Sequence, residues 1–206
     1  MNSELRIGVL GSGKGSNCEA IFQACERGEI AGRVVVVISD NPGAFILERA
    51  RKRGIPVKVV GPSRFKTKLE PELEQEIVAS LQAERVDLVV LAGYMRVVKE
   101  PLLKAFAGKI VNIHPSLLPA FPGLHAWEQA VNYGVRISGC TVHFVNEGID
   151  AGPVILQQPV PVFPEDTAET LHQRIQVAEH SLFPSAIWLF AEGKLRVVGR
   201  TVKIAE

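Results

Sequence analysis

The chain has 206 residues, of which 47 % are hydrophobic, and its 23 basic and 22 acidic residues give a formal net charge of +1. This length suits one domain, and the ordinary apolar and charged shares predict a globular protein with a substantial core. The balanced charge gives no indication of a broad nucleic-acid-binding or membrane-binding surface. Any basic patch is therefore local, as expected for a phosphorylated small molecule.

The N-terminus and the cysteines indicate the compartment. Residues 1–6 lack the apolar core of a signal peptide. The sequence contains no run of about eighteen apolar residues, so we predict no membrane span.

The three cysteines, Cys18, Cys25 and Cys140, form no C-x-x-C pair, and two helical turns would separate Cys18 from Cys25. Two turns exceed the reach of a disulfide, so we expect reduced thiols and a cytoplasmic protein.

The first half of the chain alternates short β-branched runs with amphipathic stretches. The pattern predicts strands at 6–10, 34–38, 57–60, 88–92 and 109–113, and helices at 16–27, 45–53 and 69–81. Ser16 and Glu19 have the spacing of a capping box, which predicts that Ser16 caps the first helix. This alternation is typical of an α/β fold with a Rossmann-like, mostly parallel twisted sheet and helices on both faces.

The pattern changes after Pro119. A short helix near 127–132 leads into a strand at 139–145, whose predicted antiparallel partner is 154–162. Two prolines within 154–162 favour an edge strand. A long helix then begins near Asp166, and Pro184 is expected to kink or end it. The tail at 195–204 predicts a hairpin or a strand, so we expect an antiparallel C-terminal addition to the sheet.

Asn112 and His114 are the most informative pair, because they interrupt an apolar run. Their spacing of two places both side chains on one face of a strand, and Pro115 stops the ladder just beyond. A strand end would then offer an amide donor beside a titratable imidazole. Reactions at a carbonyl group need such a pair, one group to hold the developing oxyanion and one to move a proton.

A glycine-rich turn, residues 11–17, joins the first predicted strand to the first helix. Glycines let the backbone approach a ligand, and the N–H groups of a helix start attract an anion. The dinucleotide fingerprint G-x-G-x-x-G is met only in part, because the third glycine comes one residue early. The P-loop pattern G-x-x-x-x-G-K-[ST] is also met only in part, because Gly15 stands where a hydroxyl residue would hold Mg²⁺. A simple phosphate cradle ending in Ser16 and Asn17 fits the residues better, and a ligand-free tight turn is the alternative.

Two acids could join a site. Asp150 lies in a glycine-flanked loop after the strand predicted at 139–145, so it could reach the edge where His114 lies. A carboxylate there would favour the imidazolium, raise the pKa of His114 and adapt it to general-acid duty near neutral pH. Glu179 lies at the border of an apolar helix stripe, where a buried acid would need a partner. The alternatives are a backbone-bonded His114, a turn residue at Asp150 and a solvated Glu179.

Other chemistries fit the residues less well. His114, His125 and His143 could ligate a metal, but their spacings of 11 and 18 residues match no usual ligand pattern, so we expect no metal. The serines include no G-x-S-x-G elbow, which argues against a serine hydrolase.

Longer motifs give the chain a resemblance to a known family. They are residues 13–17, 91–96, 112–119, 122–125, 142–145, 150–155 and 179–180. Over almost its whole length the chain resembles phosphoribosylglycinamide formyltransferase, the folate-dependent enzyme of purine synthesis. The Asn-x-His-Pro segment is shared by a wider formyl-transfer and deformylation superfamily, whereas Gly15-Ser16-Asn17 and Pro122-Gly123-Leu124-His125 resemble this family in particular.

The resemblance implies a reaction. The formyl group of 10-formyltetrahydrofolate, the co-substrate, would pass to the amine of glycinamide ribonucleotide through a tetrahedral intermediate, in de novo purine (IMP) biosynthesis. By the same resemblance, Asn112 would hold the oxyanion and His114 would donate the proton. Asp150 would orient His114 and raise its pKa.

The resemblance also implies binding residues. Gly15, Ser16 and Asn17 would bind the substrate phosphate, and Glu179 the ribose hydroxyls or the glycinamide end. The implied folate-binding residues are Lys68, Met95, Arg96, Val97, Val98, Asn112, Asn146, Glu147, Gly148 and Ile149.

Three positions depart from the family pattern. Lys14 replaces a small polar residue in the glycine turn, and Cys18 replaces a usual leucine. Lys68 replaces an arginine on the folate side, and because lysine cannot form the same bidentate fork, its contact with folate is open.

The resemblance further implies one formyltransferase domain over residues 1–206, with a phosphate-substrate-binding half at 1–108 and a catalytic and folate-binding half at 109–206. The implied partners are the two small-molecule substrates, without nucleic acid, membrane or metal. The protein would be a monomer or a homodimer.

Three other functions remain as alternatives. Formyltetrahydrofolate deformylase carries an added N-terminal domain, and methionyl-tRNA formyltransferase an added C-terminal domain. We expect neither, because the first predicted strand begins at Arg6 and the chain runs about 55 residues past Asp150. A nucleotide-binding or sensor module without catalysis is the third, and it would give Asn112 and His114 no joint role.

Overall fold

The computed structural model describes residues 4–205; residues 1–3, part of the segment predicted to lack a signal core, and residue 206 lie outside the described residues. The described residues form nine strands and six helices. They are β1 Leu5–Leu10, α1 Ser16–Glu26, β2 Gly32–Ser39, α2 Phe45–Arg51, β3 Val57–Val59, α3 Pro71–Ala83, β4 Leu88–Leu91, α4 Glu100–Ala105, β5 Ile110–His114, α5 Ala126–Tyr133, β6 Ile137–Phe144, β7 Val154–Pro161, α6 Ala168–Ala191, β8 Leu195–Val198 and β9 Thr201–Ile204. Two compact units divide between Val111 and Asn112, within β5.

The first unit is built on a parallel sheet with the strand order β3-β2-β1-β4. Its central strands are apolar runs without alternation, and every residue of β4 is buried, as expected for a sheet covered on both faces. Strand order reverses direction between β1 and β4. In open α/β sheets the carboxyl ends of the strands at such a point form a ligand crevice, and the glycine turn follows β1 there.

The second unit has a different sheet pattern. β6 lies between β5 and β7 and pairs antiparallel with β7, while β8 and β9 form an antiparallel hairpin. The long helix α6 packs on β6 and β7 and contacts α5. The predicted fold class is therefore confirmed, with parallel strands and surrounding helices followed by an antiparallel C-terminal addition.

The predicted cap of α1 is wrong. Gly15, not Ser16, is the N-cap; its φ of 72° is left-handed, and among the described residues no side chain caps this helix. Glu19 does not reach back as a capping box would, because its carboxylate pairs with Arg49 at 2.9 Å and Arg53 at 2.6 Å. A β-carbon at Gly15 would lie 2.7 Å from the Ile46 side chain, so this turn requires glycine.

The predicted edge position of β7 is also wrong, because β9 lies on its other side. The two strands pair only at Val154 and Thr201. Pro159 and Pro161 lie at the opposite end of β7, beyond this pairing. The prolines therefore remove no hydrogen bond that β9 would need.

Helix α6 does not end at Pro184 but continues to Ala191. Proline inside a helix costs roughly 3 kcal/mol because it removes one hydrogen bond and crowds the preceding turn. Phe183 and Ile187 on either side are 0 % and 1 % exposed, and burying each such side chain contributes a comparable free energy. Tertiary packing therefore outweighs the local preference to stop.

Helix α4 has no counterpart in the sequence prediction, because its six residues are too few to show a period. No helix in residues 4–205 combines the length and apolar character that crossing a bilayer requires.

Candidate active site

The end of β5 places His114 between two oxygen acceptors. Its Nδ1 lies 3.3 Å from Asp150 Oδ2, and its Nε2 lies 2.8 Å from the carbonyl oxygen of Phe121. The residue is 4 % exposed, so the ring is almost completely removed from water. The loop after β6 thus reaches His114, as the sequence predicted for Asp150.

The direction of the His114 pKa differs from the prediction. Burial disfavours the imidazolium and lowers the pKa below its ordinary value, while the negative charge of Asp150 and the Phe121 carbonyl act in the opposite direction. The predicted contribution of Asp150 has the right sign, but it is smaller than the cost of burial. The His114 ring is therefore neutral near neutral pH. Its two acceptors, Asp150 Oδ2 and Phe121 O, could also bind both N–H groups of the protonated ring.

Asp150 is held in place by its own backbone and by a neighbouring loop. Its φ of 48° is left-handed, a conformation that aspartate tolerates better than most residues, and its Oδ2 accepts a hydrogen bond from the Gly123 N–H at 2.8 Å. Burial acts to raise its pKa, but contacts with His143, His114 and Gly123 N–H lower it overall. Asp150 is therefore a carboxylate when it faces His114.

A buried hydrogen-bond network supports the loop that carries Phe121. Thr141 Oγ1 donates to Ser116 O at 2.7 Å and accepts from Leu118 N at 3.1 Å, and Gln157 Nε2 donates to Leu118 O at 2.9 Å. Phe121 itself has a left-handed φ of 51°, which is strained for an aromatic residue. Such strain persists only where the surroundings fix it, and here it directs the Phe121 carbonyl to His114.

Asn112, two residues before His114, contacts a side chain on the next strand. Its Nδ2 lies 3.2 Å from His143 Nε2, and the same ring nitrogen lies 3.7 Å from Asp150 Oδ1. The sequence had suggested His143 only as a weak metal ligand. Its position beside the Asn112 amide could not be read from a histidine in an apolar strand, which is more often part of the core.

The other predicted residues of the second unit differ in exposure. Asn146, Glu147, Gly148 and Ile149 form an exposed turn in which Gly148 N donates to Asn146 Oδ1 at 3.1 Å. Glu179, on α6, is 4 % exposed, so the solvated alternative is excluded.

The glycine turn of the first unit is held by backbone bonds from several segments. Gly11 N donates to Ile38 O at 3.1 Å, Ser12 N donates to Gly93 O at 3.0 Å, and Ile46 N donates to Gly13 O at 3.1 Å. Ser16 and Asn17 follow at the start of α1, while Lys14 is exposed. The turn therefore presents the positive end of a helix dipole from a rigid support.

Sequence analysis missed a polar network beside this turn. Ser12 Oγ donates to Asp40 Oδ1 at 2.6 Å and accepts from Met95 N at 3.0 Å, and Arg96 Nε donates to Asp40 Oδ2 at 2.6 Å. These groups follow three different strands. A signal existed in Asp40, an acid directly after the buried strand β2, but its partners lie too far along the chain to be inferred from spacing.

The predicted folate residues of the first unit lie on two adjacent segments. Lys68 and Val97 form a parallel β-bridge, and Val97 N donates to Thr67 O at 2.8 Å. Met95 is 54 % exposed and Val98 is 5 % exposed. The Lys68 ammonium lies 4.5 Å from the centre of the Phe65 ring, so its side chain turns towards that ring. Among residues 4–205, no group of three or more histidine, cysteine and acidic side chains has the arrangement of a metal site.

An amide and a histidine at the end of a strand, beside a carboxylate and on an α/β fold, are groups that acyl-group transfer enzymes use. A family model described as "Formyl transferase" matches residues 5–187. The chain belongs to the formyl transferase family.

Within this family, named relatives make the comparison more specific. The chain is 43 % identical over 192 residues to phosphoribosylglycinamide formyltransferase of Haemophilus influenzae, covering 93 % of this chain and 90 % of that protein. The crystal structure of glycinamide ribonucleotide transformylase 1 from Symbiobacterium toebii superposes with a TM-score of 0.95 at 52 % identity, covering 98 % of this chain and 95 % of that one.

Longer relatives contain the same region. The chain is 45 % identical over 202 residues to the trifunctional purine biosynthetic protein adenosine-3 of Drosophila pseudoobscura pseudoobscura, covering 97 % of this chain. It spans 14 % to 19 % of the length of this and the other animal trifunctional relatives.

Proposed function

We propose that the protein transfers the formyl group of 10-formyltetrahydrofolate to the amine of glycinamide ribonucleotide. The products are formylglycinamide ribonucleotide and tetrahydrofolate, in de novo purine (IMP) biosynthesis. The observation that carries the proposal is the grouping of Asn112, His114 and Asp150 at the end of β5, with 3.3 Å between His114 Nδ1 and Asp150 Oδ2. The names of the similar proteins supply the acceptor and the formyl group, and the family resemblance supplies the folate donor.

The reaction needs one bond made, one bond broken and one proton moved. The amine nitrogen attacks the formyl carbon, and the carbonyl π electrons move to its oxygen, where the Asn112 amide donates a hydrogen bond. A donor at a developing oxyanion is typically worth about 3 kcal/mol of barrier. The attacking nitrogen then loses a proton, the folate nitrogen gains one, and the bond from the formyl carbon to the folate nitrogen breaks.

His114 moves this proton. A neutral imidazole has one N–H, yet both ring nitrogens face acceptors, Asp150 Oδ2 and Phe121 O. A proton taken from the attacking nitrogen completes both contacts, and the low pKa then favours its return to the leaving folate nitrogen.

Binding roles are assigned by family membership and local chemistry. Gly15, Ser16 and Asn17 bind the phosphate of the ribonucleotide through the start of α1, and Glu179 binds its ribose hydroxyls or glycinamide end. The folate contacts are the residues that the resemblance implies. The phosphate-binding half is residues 1–108, and the catalytic and folate-binding half is residues 109–206.

The cellular setting and assembly follow the same reasoning. The three cysteines are free thiols, which fits the cytoplasmic location that we propose. Burial raises the pKa of Cys18, Cys25 and Cys140, so their reactive thiolate forms are disfavoured. The small-molecule substrates are the only partners that we propose. A monomer or a homodimer stays a prediction.

A two-substrate assay tests the function. Purified protein with glycinamide ribonucleotide and 10-formyltetrahydrofolate, without added metal, is expected to release tetrahydrofolate and formylate the amine in equal amounts. Equal release without the amine would identify water as the acceptor and a deformylase as the enzyme. No turnover in either reaction, with retained binding of the ribonucleotide, would identify a binding module instead.

A further inference from the structure

His143 has no role in the proposed reaction, yet it lies between two of the three proposed catalytic groups. It is 2 % exposed, and its Nε2 is 3.2 Å from Asn112 Nδ2 and 3.7 Å from Asp150 Oδ1. Its other ring nitrogen, Nδ1, is 2.8 Å from the carbonyl oxygen of Phe144. A buried imidazole with these neighbours has its proton positions fixed by their chemistry.

The neighbours determine which nitrogen carries the proton. The Phe144 carbonyl can only accept a hydrogen bond, so Nδ1 must carry a hydrogen. Asp150 Oδ1 lies 3.7 Å from Nε2, which is too far for a hydrogen bond. In a neutral ring Nε2 is then an acceptor, and only the nitrogen end of the Asn112 amide can donate to it. If the Asn112 amide were reversed, its oxygen would face the lone pair of Nε2, and both groups would lack a donor.

We propose that His143 is a positioning residue that fixes the orientation of the Asn112 amide. One N–H of Asn112 Nδ2 donates to His143, and this keeps the second N–H of the same nitrogen available to the formyl oxygen. Such fixing matters because an oxyanion donor lowers the barrier only when it is aimed in advance. The inference rests on the proposed function for the identity of the oxyanion.

Close packing against the loop that carries Asp150 supports this role. A β-carbon at Gly152 would lie 1.7 Å from Phe144 O and 3.4 Å from His143 Nδ1. Phe144 N also donates to Pro153 O at 2.9 Å. Gly152 and Pro153, which follow Asp150 by two and three residues, therefore hold the backbone of Phe144 in place. The carbonyl oxygen of Phe144 is the acceptor that fixes the His143 tautomer.

Two substitutions separate positioning from mere filling of space. In His143→Gln the longer amide reaches the place of Nε2 and can accept from Asn112. In His143→Asn the shorter amide reaches the place of Nδ1 and can donate only to Phe144. If positioning is the role, His143→Asn lowers kcat by about 10- to 100-fold with little change in either KM, as for other residues that orient a reacting group. His143→Gln is then expected to keep most of kcat.

The reverse order, or equal losses in both variants with normal unfolding temperatures, overturns the proposal. If the wild-type enzyme forms no product, the proposed function is refuted. The positioning role of His143 is tested separately, by NMR of the ring and of the Asn112 amide. Nitrogen NMR of the wild-type ring is expected to show a neutral His143 protonated at Nδ1. The Asn112 amide resonances are expected to shift in His143→Asn but not in His143→Gln. A ring protonated at Nε2, alone or together with Nδ1, overturns the proposal whatever the activity.

Discussion

His114 has two acceptors and, near neutral pH, one proton to offer them. Burial lowers its pKa, and the charge of Asp150 limits this effect without reversing it. The two influences act against each other, so the ring is neutral near neutral pH and the Asp150 charge still favours its protonated form. A group that must take a proton from one nitrogen and return it to another benefits from this balance.

Asp150→Asn is expected to lower kcat by about 100-fold or more, because the ring loses the charge that stabilises its protonated form. Asparagine keeps an oxygen for the Gly123 N–H, so the fold of the turn is retained. Since the Asp150 charge acts to raise the pKa of His114, its removal lowers that pKa further. The limb of the pH–rate profile that belongs to His114 should therefore move to lower pH.

A matched control for this substitution is Glu128→Gln, which removes a carboxylate lying 4.0 Å from the exposed His125. Its kcat and pH profile should remain those of the wild type. A profile that moves to higher pH in Asp150→Asn, or a kcat within about twofold of the wild type, would contradict the assigned role of Asp150, since removal of an acting acid–base group costs far more.

At the scale of elements, the Asp166 carboxylate supports the start of α6 together with the Thr167 cap. Asp166 accepts hydrogen bonds from Arg174 Nη1 at 2.7 Å and Nη2 at 2.8 Å, from Phe163 N at 2.7 Å and from Thr170 Oγ1 at 2.9 Å. The bidentate Arg174 contact is the main cause that holds the pKa of Asp166 well below its usual range. This helix carries Glu179 and packs on the strands beside the proposed catalytic groups.

Asp166→Asn is expected to lower the free energy of unfolding by about 1–3 kcal/mol at pH 7, because charge-assisted bonds at the helix start are weakened. Urea unfolding of the two proteins measures the difference. Glu169→Gln removes a charge from the same first turn at an exposed position. It should cost only about 0.3–1 kcal/mol through the helix dipole. Equal losses of unfolding free energy in the two variants would mean that the hydrogen bonds of Asp166 contribute no stability beyond the effect of its charge on the helix dipole.

Sequence pattern predicted those elements whose position depends on local order. The parallel strands are continuous apolar runs, and β6 and β7 follow one another closely, so their pairing needs only a short connection. The approach of Asp150 to His114 was predicted because both follow strands of one sheet. Pattern failed at Pro184, where packing on both sides of the proline overrides its local preference, and at α4, which is too short for a period.

The unpredicted parts of the site depend on quantities that a sequence does not contain. The sign of the His114 pKa shift depends on how completely the ring is buried, and the tautomer of His143 depends on one backbone carbonyl. The Ser12, Asp40 and Arg96 network joins residues that are 28 and 56 positions apart. No spacing rule links such residues before the sheet has brought their strands together.

At the scale of the whole molecule, the same pKa shifts make stability depend on pH in two windows. The folded-state pKa of His114 is lowered, so its contribution is fully present above the ordinary histidine pKa of about 6.5 and is lost as pH falls below it. The folded-state pKa values of Asp150 and Asp166 are also lowered, so their contributions are present above about pH 4 and are lost as pH falls further. We therefore expect the first acid loss of stability to come from the histidine and the second from the carboxylates.

The variant His114→Asn tests the first window, because it removes the buried titrating ring and leaves the carboxylates in place. Wild-type free energies of unfolding from urea titrations should fall as pH drops below about 6.5, with a slope from this group of at most about 1.4 kcal/mol per pH unit, the limit for one proton. His114→Asn should flatten this window while keeping the loss below about pH 4. His125→Asn, at a histidine whose side chain is 66 % exposed, is the control and should keep the wild-type slope. An unchanged slope in His114→Asn would show that His114 protonates equally in the folded and unfolded chains, and would remove the basis for a poised proton carrier at the end of β5.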